Sequence, residues 1–251
     1  MGTKITLSAR MEAVARMVTP GNRVCDVGCD HGYVSLYLVQ QEIAPCVIAM
    51  DVGTGPLDRA REHVQEAGMQ QYINLRLSDG LTAYRPGEAD SLILAGMGGK
   101  LMRRILERER EKTDSFKELI LQPQSQIREF RAFLREAGYF ITDENMILED
   151  EKFYPVIRAV LEKQPSRHQE KIELLLEDSF GPRLLSEKHP VLQLFLKREW
   201  EKADVLKRQL VGAKASHRAG RRIEELTKEM ELISQAAGLM GMEELYDNDN
   251  H

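Results

Sequence analysis

Over residues 1–163 short apolar runs alternate with longer amphipathic ones, the pattern that βαβ units and a mostly parallel sheet write into a sequence. Segments 24–28, 46–51, 73–77, 91–95 and 118–122 read as strands, with helical periodicity between them over 34–41, 56–67, 100–111 and 126–137. Two further apolar alternations, 141–148 and 154–161, are joined by the acidic turn Glu149, Asp150, Glu151, Lys152 and predict an antiparallel hairpin that finishes the sheet. Past Gln164, Pro165 and Ser166 the β-branched residues thin out and the periodicity stays helical. There Leu192, Leu196, Ala203, Leu206, Leu210 and Ala213 recur at spacings of four and three, with Glu199 as the polar intruder, which is a coiled-coil seam. After a break placed at 217–220, Ile223, Leu226, Met230, Ile233, Ala237 and Met240 continue it, so the expectation is an antiparallel helical hairpin joined by a glycine-containing turn. The expected fold class is therefore α/β with a C-terminal α-helical coiled-coil hairpin: a sheet domain over 1–163, a helical domain over 164–246 and a polar, disordered tail over 247–251.

Composition narrows the function classes. A chain of 251 residues with 42% hydrophobic and 30% charged positions can bury a core and keep a well-solvated surface. No apolar run approaches the roughly 18 residues of a spanning helix, and charges stand where a signal peptide needs its apolar stretch, so a cytoplasmic protein without a membrane partner is expected. Cys25, Cys29 and Cys46 form no paired CxxC and have no histidine at ligand spacing, which implies reduced thiols and no metal. The net charge of −5 hides a local excess: residues 183–222 hold eleven Lys or Arg against four acids, or +7, the signature of a polyanion-binding arm. Arg218, Arg221 and Arg222 stand at its end as candidate nucleic-acid contacts.

Candidate chemistry concentrates after the predicted strands. Asp26, Gly28, Asp30, His31 and Gly32 sit where a β-rich run ends in a glycine-bearing turn and opens a helix, the Rossmann-like place for a nucleoside cofactor. A dinucleotide fingerprint would read GxGxxG; here Gly28 and Gly32 are separated by three residues and flanked by acids. Carboxylates repel a pyrophosphate but favour the ammonium and sulfonium of S-adenosylmethionine, so the acids point to that methyl donor. Asp51 ends the second strand, where it reads either as an acceptor for both ribose hydroxyls or as a loop acid. Ser78, Asp79 and Gly80 follow the third strand; Asp79 reads as an acceptor from the adenine amino group or as part of an Asp-Gly turn. Ala95, Gly96, Met97, Gly98 and Gly99 follow the fourth, and their glycines read as room for a planar base against bare backbone in preference to a tight turn. Arg103, Arg104, Arg108 and Arg110 can bind a polyanion or form a solvated face with the interleaved glutamates. His31 reads as a base or as a loop histidine held by backbone, and Arg10 as a partner for the donor's carboxylate.

These residues resemble the bacterial tRNA (adenine-22-N1)-methyltransferases over nearly the whole chain. The carriers are Leu7-Ser8-x-Arg10, Asp26-Val-Gly28-Cys-Asp30-His31-Gly32-Tyr33, Asp51-Val52, Ser78-Asp79-Gly80, Ala95-Gly96-Met97-Gly98-Gly99, Leu121-Gln122-Pro123 and the segment from Glu149 to Tyr154. The resemblance implies a Rossmann-like domain with a coiled coil, S-adenosylmethionine as cofactor, tRNA as partner and methylation of adenine N1. It adds Val52 to the cofactor set, and Tyr33, Gly98, Gly99, Gln122 and Pro123 to the substrate set. Asp30 becomes the candidate carboxylate beside the methylated base. The loop departs from the wider methyltransferase class in carrying Asp30 where a middle glycine is usual, and the chain lacks an Asn/Asp-Pro-Pro-Tyr motif, which points away from exocyclic amines. Other acceptors, RNA or small molecule, a non-catalytic RNA-binding scaffold and an NAD-dependent oxidoreductase stand as rivals. The expected state is a monomer or weak homodimer.

Overall fold

The computed structural model describes residues 5–161, 170–212 and 217–242. Tertiary contacts divide the chain into two compact units, residues 1–166 and 167–251. The domain boundary expected at 163/164 and the tail at 247–251 both lie outside the described residues.

The first unit runs α1 (Ala9–Arg16), β1 (Val24–Val27), α2 (Tyr33–Gln40), β2 (Val47–Asp51), α3 (Thr54–Glu66), β3 (Ile73–Leu77), β4 (Ser91–Met97), α4 (Gly99–Arg108), α5 (Arg110–Thr113), β5 (Glu118–Pro123), α6 (Ile127–Glu136), β6 (Tyr139–Glu149) and β7 (Lys152–Leu161). Its sheet has the order β3-β2-β1-β4-β5-β7-β6. Strands β1 to β5 pair in parallel, and β7 lies antiparallel to both β5 and β6. The central strands read as unbroken apolar runs because helices cover both faces of the sheet. Successive residues alternate between those faces: Leu92, Leu94, Leu119 and Leu121 pack with Met102, Leu106 and Phe130, while Ile93 and Ile120 pack with Val14, Leu36 and Leu38. Asp150 and Glu151, with φ of 47° and 60°, form the tight turn between β6 and β7, the left-handed pair that a two-residue hairpin requires.

Two local features depart from the pattern reading. The helix expected over 100–111 breaks at Glu109 (φ −114°, ψ 45°) into α4 and α5, where the buried Thr113 hydroxyl donates to the Leu106 and Glu109 carbonyls. Helix α1, not expected, is one short stretch capped by the Ser8 hydroxyl, which accepts the Met11 N–H, and anchored by buried Ala13, Val14 and Ala15.

The second unit contains α7 (Lys171–Phe180), α8 (Pro182–Ser186), α9 (Pro190–Gly212) and α10 (His217–Leu239). Helices α9 and α10 pack as a helical hairpin through Ala203, Leu226 and Met230, with Trp200 and Leu210 against them. The break expected at 217–220 is instead helical: α10 begins at His217 and Gly220 falls in its first turn, where a single glycine costs no more than about 1 kcal/mol relative to alanine. Leu206, placed on the seam by the four-three spacing, is exposed, while Trp200, next to the polar Glu199, packs against Ala203, Leu226 and Met230. Among the described residues no helix is long and apolar enough to cross a membrane.

Helix α6 is pinned to the hairpin by Arg131 and Glu144, an ion pair at 2.8 Å in which both side chains are at most 2% exposed. Removing one member strands the other charge in the interior. Glu144→Ala is expected to lower stability by about 3–5 kcal/mol in urea unfolding; an unchanged midpoint would show that the pair does not hold the helix.

Candidate active site

Because β1 to β5 are parallel, their carboxyl ends share one edge of the sheet, and the chain's direction of travel across the sheet reverses between β1 and β4. Open α/β sheets bind ligands in the crevice at such a point. The loop after β1 is tied to β2 by the Gly28 and Cys29 N–H groups, which both donate to the Met50 carbonyl at 2.8 and 3.0 Å. Gly28 has φ +75°, a left-handed conformation that favours glycine, and a Cβ there would lie 2.2 Å from the Met97 methyl carbon, so any side chain would have to push that flexible thioether aside. Asp30 is a non-glycine residue at φ 51°. Its N–H donates to Asp51 Oδ2 at 3.1 Å, and the Gly53 N–H donates to Asp51 Oδ1 at 2.8 Å. Asp51 thus braces both loops, and each of its oxygens keeps acceptor capacity. It is at once the loop acid and a candidate ribose acceptor.

Asp26 is buried within β1 and accepts the Ser35 hydroxyl at 2.7 Å. Burial pushes its carboxyl up to about 6; the Ser35 bond opposes this and the nearby Asp51 charge adds to it. Asp30 itself is exposed, its Oδ1 3.5 Å from His31 Nε2. The His31 carbonyl lies 3.0 Å from His63 Nδ1, which must therefore carry the proton and donate, leaving Nε2 to accept the Tyr33 hydroxyl at 3.3 Å. Tyr33 stacks on His63 with ring centroids 4.7 Å apart and is 43% exposed. His63 carries no motif signal, and only the packing of α3 against the loop reveals it.

Val52 is 71% exposed at the end of β2, an apolar shelf beside the brace. The Ser78 hydroxyl works inside its own loop, donating to Gly80 O at 2.8 Å and accepting the Ala83 N–H at 3.0 Å. Asp79 is engaged by Arg108, whose Nη1 donates to Oδ2 at 2.7 Å and whose Nη2 donates to the Asp79 carbonyl; the guanidinium holds this carboxyl below its usual range. The expected adenine acceptor is thus already paired with a cation through one of its oxygens.

At the end of β4, past Ala95, the N–H of Gly96 donates to Gln122 Oε1 at 3.0 Å, and Arg10 Nη1 donates to the same oxygen at 3.2 Å. Gln122 is fully buried beside Pro123, so what it touches is Arg10 and the glycine loop. The Arg10 guanidinium lies 4.8 Å over the Tyr154 ring, and its Nε is buried 3.7 Å from Glu149 with no hydrogen bond made. The glycines of this loop have an internal reason that the open-backbone reading did not foresee. A Cβ at Gly98 would meet Ser125 Oγ at 2.9 Å, and one at Gly99 would meet the Ser125 carbonyl at 2.7 Å. They admit the segment before α6.

In the second unit Arg221 is exposed, Arg222 pairs with Glu225 and Glu229, and the side chain of Arg218 lies outside the described set. Cys25 and Cys29 are buried, which pushes both thiols well above their ordinary range; with Cys46 they are free. Among the described residues no His, Cys, Asp and Glu cluster suited to a metal is present.

Braced glycine loops at the switch point of a mostly parallel sheet define a methyltransferase domain, and the family model of that description matches residues 7–157. The chain is 31% identical over 232 residues to the tRNA (adenine(22)-N(1))-methyltransferase of Bacillus subtilis, a match covering 92% of this chain and 97% of that protein. It belongs to the tRNA (adenine(22)-N(1))-methyltransferase family. The crystal structure of the B. subtilis m1A22 tRNA methyltransferase TrmK superposes with a TM-score of 0.78 at 30% identity, covering 93% of this chain and 99% of that one. Streptococcus pneumoniae Sp1610 in complex with S-adenosyl-L-methionine superposes with a TM-score of 0.77 at 28% identity, covering 92% and 99%. The oxidoreductase rival gives way to these matches.

The raised carboxyl of Asp26 makes a signed expectation. Between its ordinary value of 3.8 and about 6 the folded chain holds a proton that the unfolded chain has released, so stability falls as pH rises through that window. The loss attributable to Asp26 is on the order of 3 kcal/mol. Asp26→Asn is expected to flatten this slope in urea unfolding at pH 4 and pH 6.5; equal slopes in the two chains would contradict the buried-charge account.

Proposed function

We propose that this chain transfers the methyl group of S-adenosylmethionine to N1 of adenine 22 in tRNA, working in the cytoplasm. The observation that carries the reading is the relation, over 92% of this chain, to a protein of that activity, joined to loops that gather at one crevice.

The residues fit the cofactor. Arg10 brings a partly buried guanidinium, its Nε facing Glu149 at 3.7 Å, to the glycine loop after β4, where its charge suits the donor's carboxylate. Asp51 has acceptor capacity for two ribose hydroxyls, Asp26 supplies negative charge for a cationic donor, and Val52 offers an apolar surface to the adenine ring. The backbone of Gly28, Gly32, Ser78, Gly80, Ala95, Gly96 and Met97 forms the rim, with His31 and Asp79 at its edges. When bound, S-adenosylmethionine supplies an electrophilic methyl group on a sulfonium.

Adenine N1 is neutral at pH 7 and presents an in-plane lone pair, so the protein's task is alignment more than proton abstraction. A target base stacked within tRNA must first be displaced, at a typical expense of a few kcal/mol. Tyr33, held from behind by His63, presents its ring as a stacking face, while Gly98 and Gly99 seat the Ser125 segment against the acceptor loop and so act on the substrate through the shape of that loop. Gln122 is a positioning residue: it sets Arg10 and Gly96 through one shared oxygen, with Pro123 closing the strand end. The exposed Asp30 carboxylate favours the cationic base that methylation creates. Exposed Arg221, with Arg218 and Arg222 nearby in sequence, contributes to holding RNA from the helical unit.

Labelled methyl transfer to unmodified tRNA, followed by nucleoside analysis, tests the reading. The expected product is 1-methyladenosine, absent when adenine 22 is replaced by guanine; transfer to both tRNAs, or to neither, would overturn it. In calorimetry Asp51→Ala is expected to weaken donor binding about 100-fold, the value of two charge-assisted hydrogen bonds. Asp30→Asn is expected to keep donor affinity and lose about tenfold or more in single-turnover rate. Reversal of those two outcomes would exchange the assigned roles.

A further inference from the structure

We propose that Lys100 and Arg104 form a phosphate subsite that grips the RNA strand next to the target base; this rests on the tRNA reading above. The cations of the α4–α5 segment are not equivalent. Arg103 donates to Glu107 at 3.0 Å and lies 5.1 Å over the Phe133 ring. Arg108 is held by Asp79 and Thr82, Arg110 by Asp114 and the Ala137 carbonyl, and Lys112 by the carbonyls of Leu81 and Thr82. Each of these has an internal employment. Lys100 and Arg104 are exposed, and among the described residues neither makes an ion pair or hydrogen bond.

Their spacing puts them on one face. Residues four apart on a helix are neighbours, about 6 Å apart along the axis, which suits consecutive phosphates of one strand. Their location ties them to the chemistry. Helix α4 begins at Gly99, directly after the loop that closes the crevice, and Arg104 lies close enough to Asp79 for its charge to be felt there. An open groove of about 820 Å³ runs beside this face, lined by Gly98, Gly99, Lys100, Arg104, Ser125 and Phe130 among others. Arg103 and Glu107 on the same wall neutralise each other, and Glu129 on the α6 side repels an anion towards α4. A groove that starts at the acceptor loop and keeps two uncommitted cations on one wall fits a flanking ribose-phosphate better than a second apolar ligand.

The test uses the full chain as wild type, as the double variant Lys100→Gln with Arg104→Gln, and as Arg103→Gln. Dissociation constants for unmodified tRNA are measured across a salt series, with donor affinity measured alongside. Expected for the double variant is about tenfold weaker tRNA binding at about 0.15 M salt, a salt slope shallower by about two, and unchanged donor affinity. Arg103→Gln, which removes an internally neutralised charge from the same helix, is expected to stay within about twofold of wild type. A double variant that binds like wild type, with the same slope, overturns the subsite. So does an Arg103→Gln chain that weakens as much per charge, because the effect would then be diffuse charge and not a site. A wild-type chain that binds donor but no tRNA overturns the parent reading instead.

Discussion

Strands β1 and β4 lie side by side, yet the chain leaves them towards opposite edges of the sheet, and the crevice between their ends is what every other part of the site is arranged around. Parallel pairing forces the loops after β1 to β4 onto one edge, so residues far apart in sequence meet there without any special connection. Asp51 then does for the loops what pairing does for the strands. By accepting the N–H groups of Asp30 and Gly53 it sets two turns at once, and the crevice inherits its shape from that brace.

Holding this shape works against stability in identifiable places. Asp26 is a carboxylate kept inside a strand with a single hydroxyl as its hydrogen-bond donor, and Asp30 sits in left-handed backbone. Arg10 carries a buried Nε–H that makes no hydrogen bond. Asp26 and the Arg10 Nε are short of hydrogen-bond donors or acceptors, although the guanidinium faces Glu149 at 3.7 Å, and with the strained Asp30 they lie at the same edge of the sheet. The opposite end shows the contrast: buried Glu118 accepts from Thr19, Asn22 and Ser91, a satisfied polar cluster with nothing left over for a ligand. Incomplete partners at one end and complete ones at the other separate recognition from scaffolding.

Much of this was legible from residue pattern. The span 73–77 is β3 as expected, and the acidic turn before β7 lies where the alternation placed it, because a two-residue hairpin leaves little freedom in register. The glycine and acid loop after β1 was legible because few chemistries need that composition at a strand end. Other features were not. His63 meets Tyr33 and His31 only through the packing of α3, and no local spacing encodes that. The capture of Asp79 by Arg108 joins residues 29 positions apart. Gly98 and Gly99 were read as room for a ligand, whereas the Ser125 backbone and hydroxyl claim that room, since a glycine records that something comes close without recording what. Leu206, expected on the seam, is exposed, and Trp200, to which the spacing assigned no place, packs against the seam in the folded hairpin.

We propose that loops distant in sequence form one cofactor site at the β1/β4 switch point. Amide hydrogen exchange with and without S-adenosylhomocysteine tests it most directly. Exchange is expected to slow together in segments 28–33, 51–53, 78–80 and 95–99, with the Thr19 to Asn22 end of the sheet unchanged. Slowing confined to another part of the chain, or none in these segments under saturating S-adenosylhomocysteine, would contradict it.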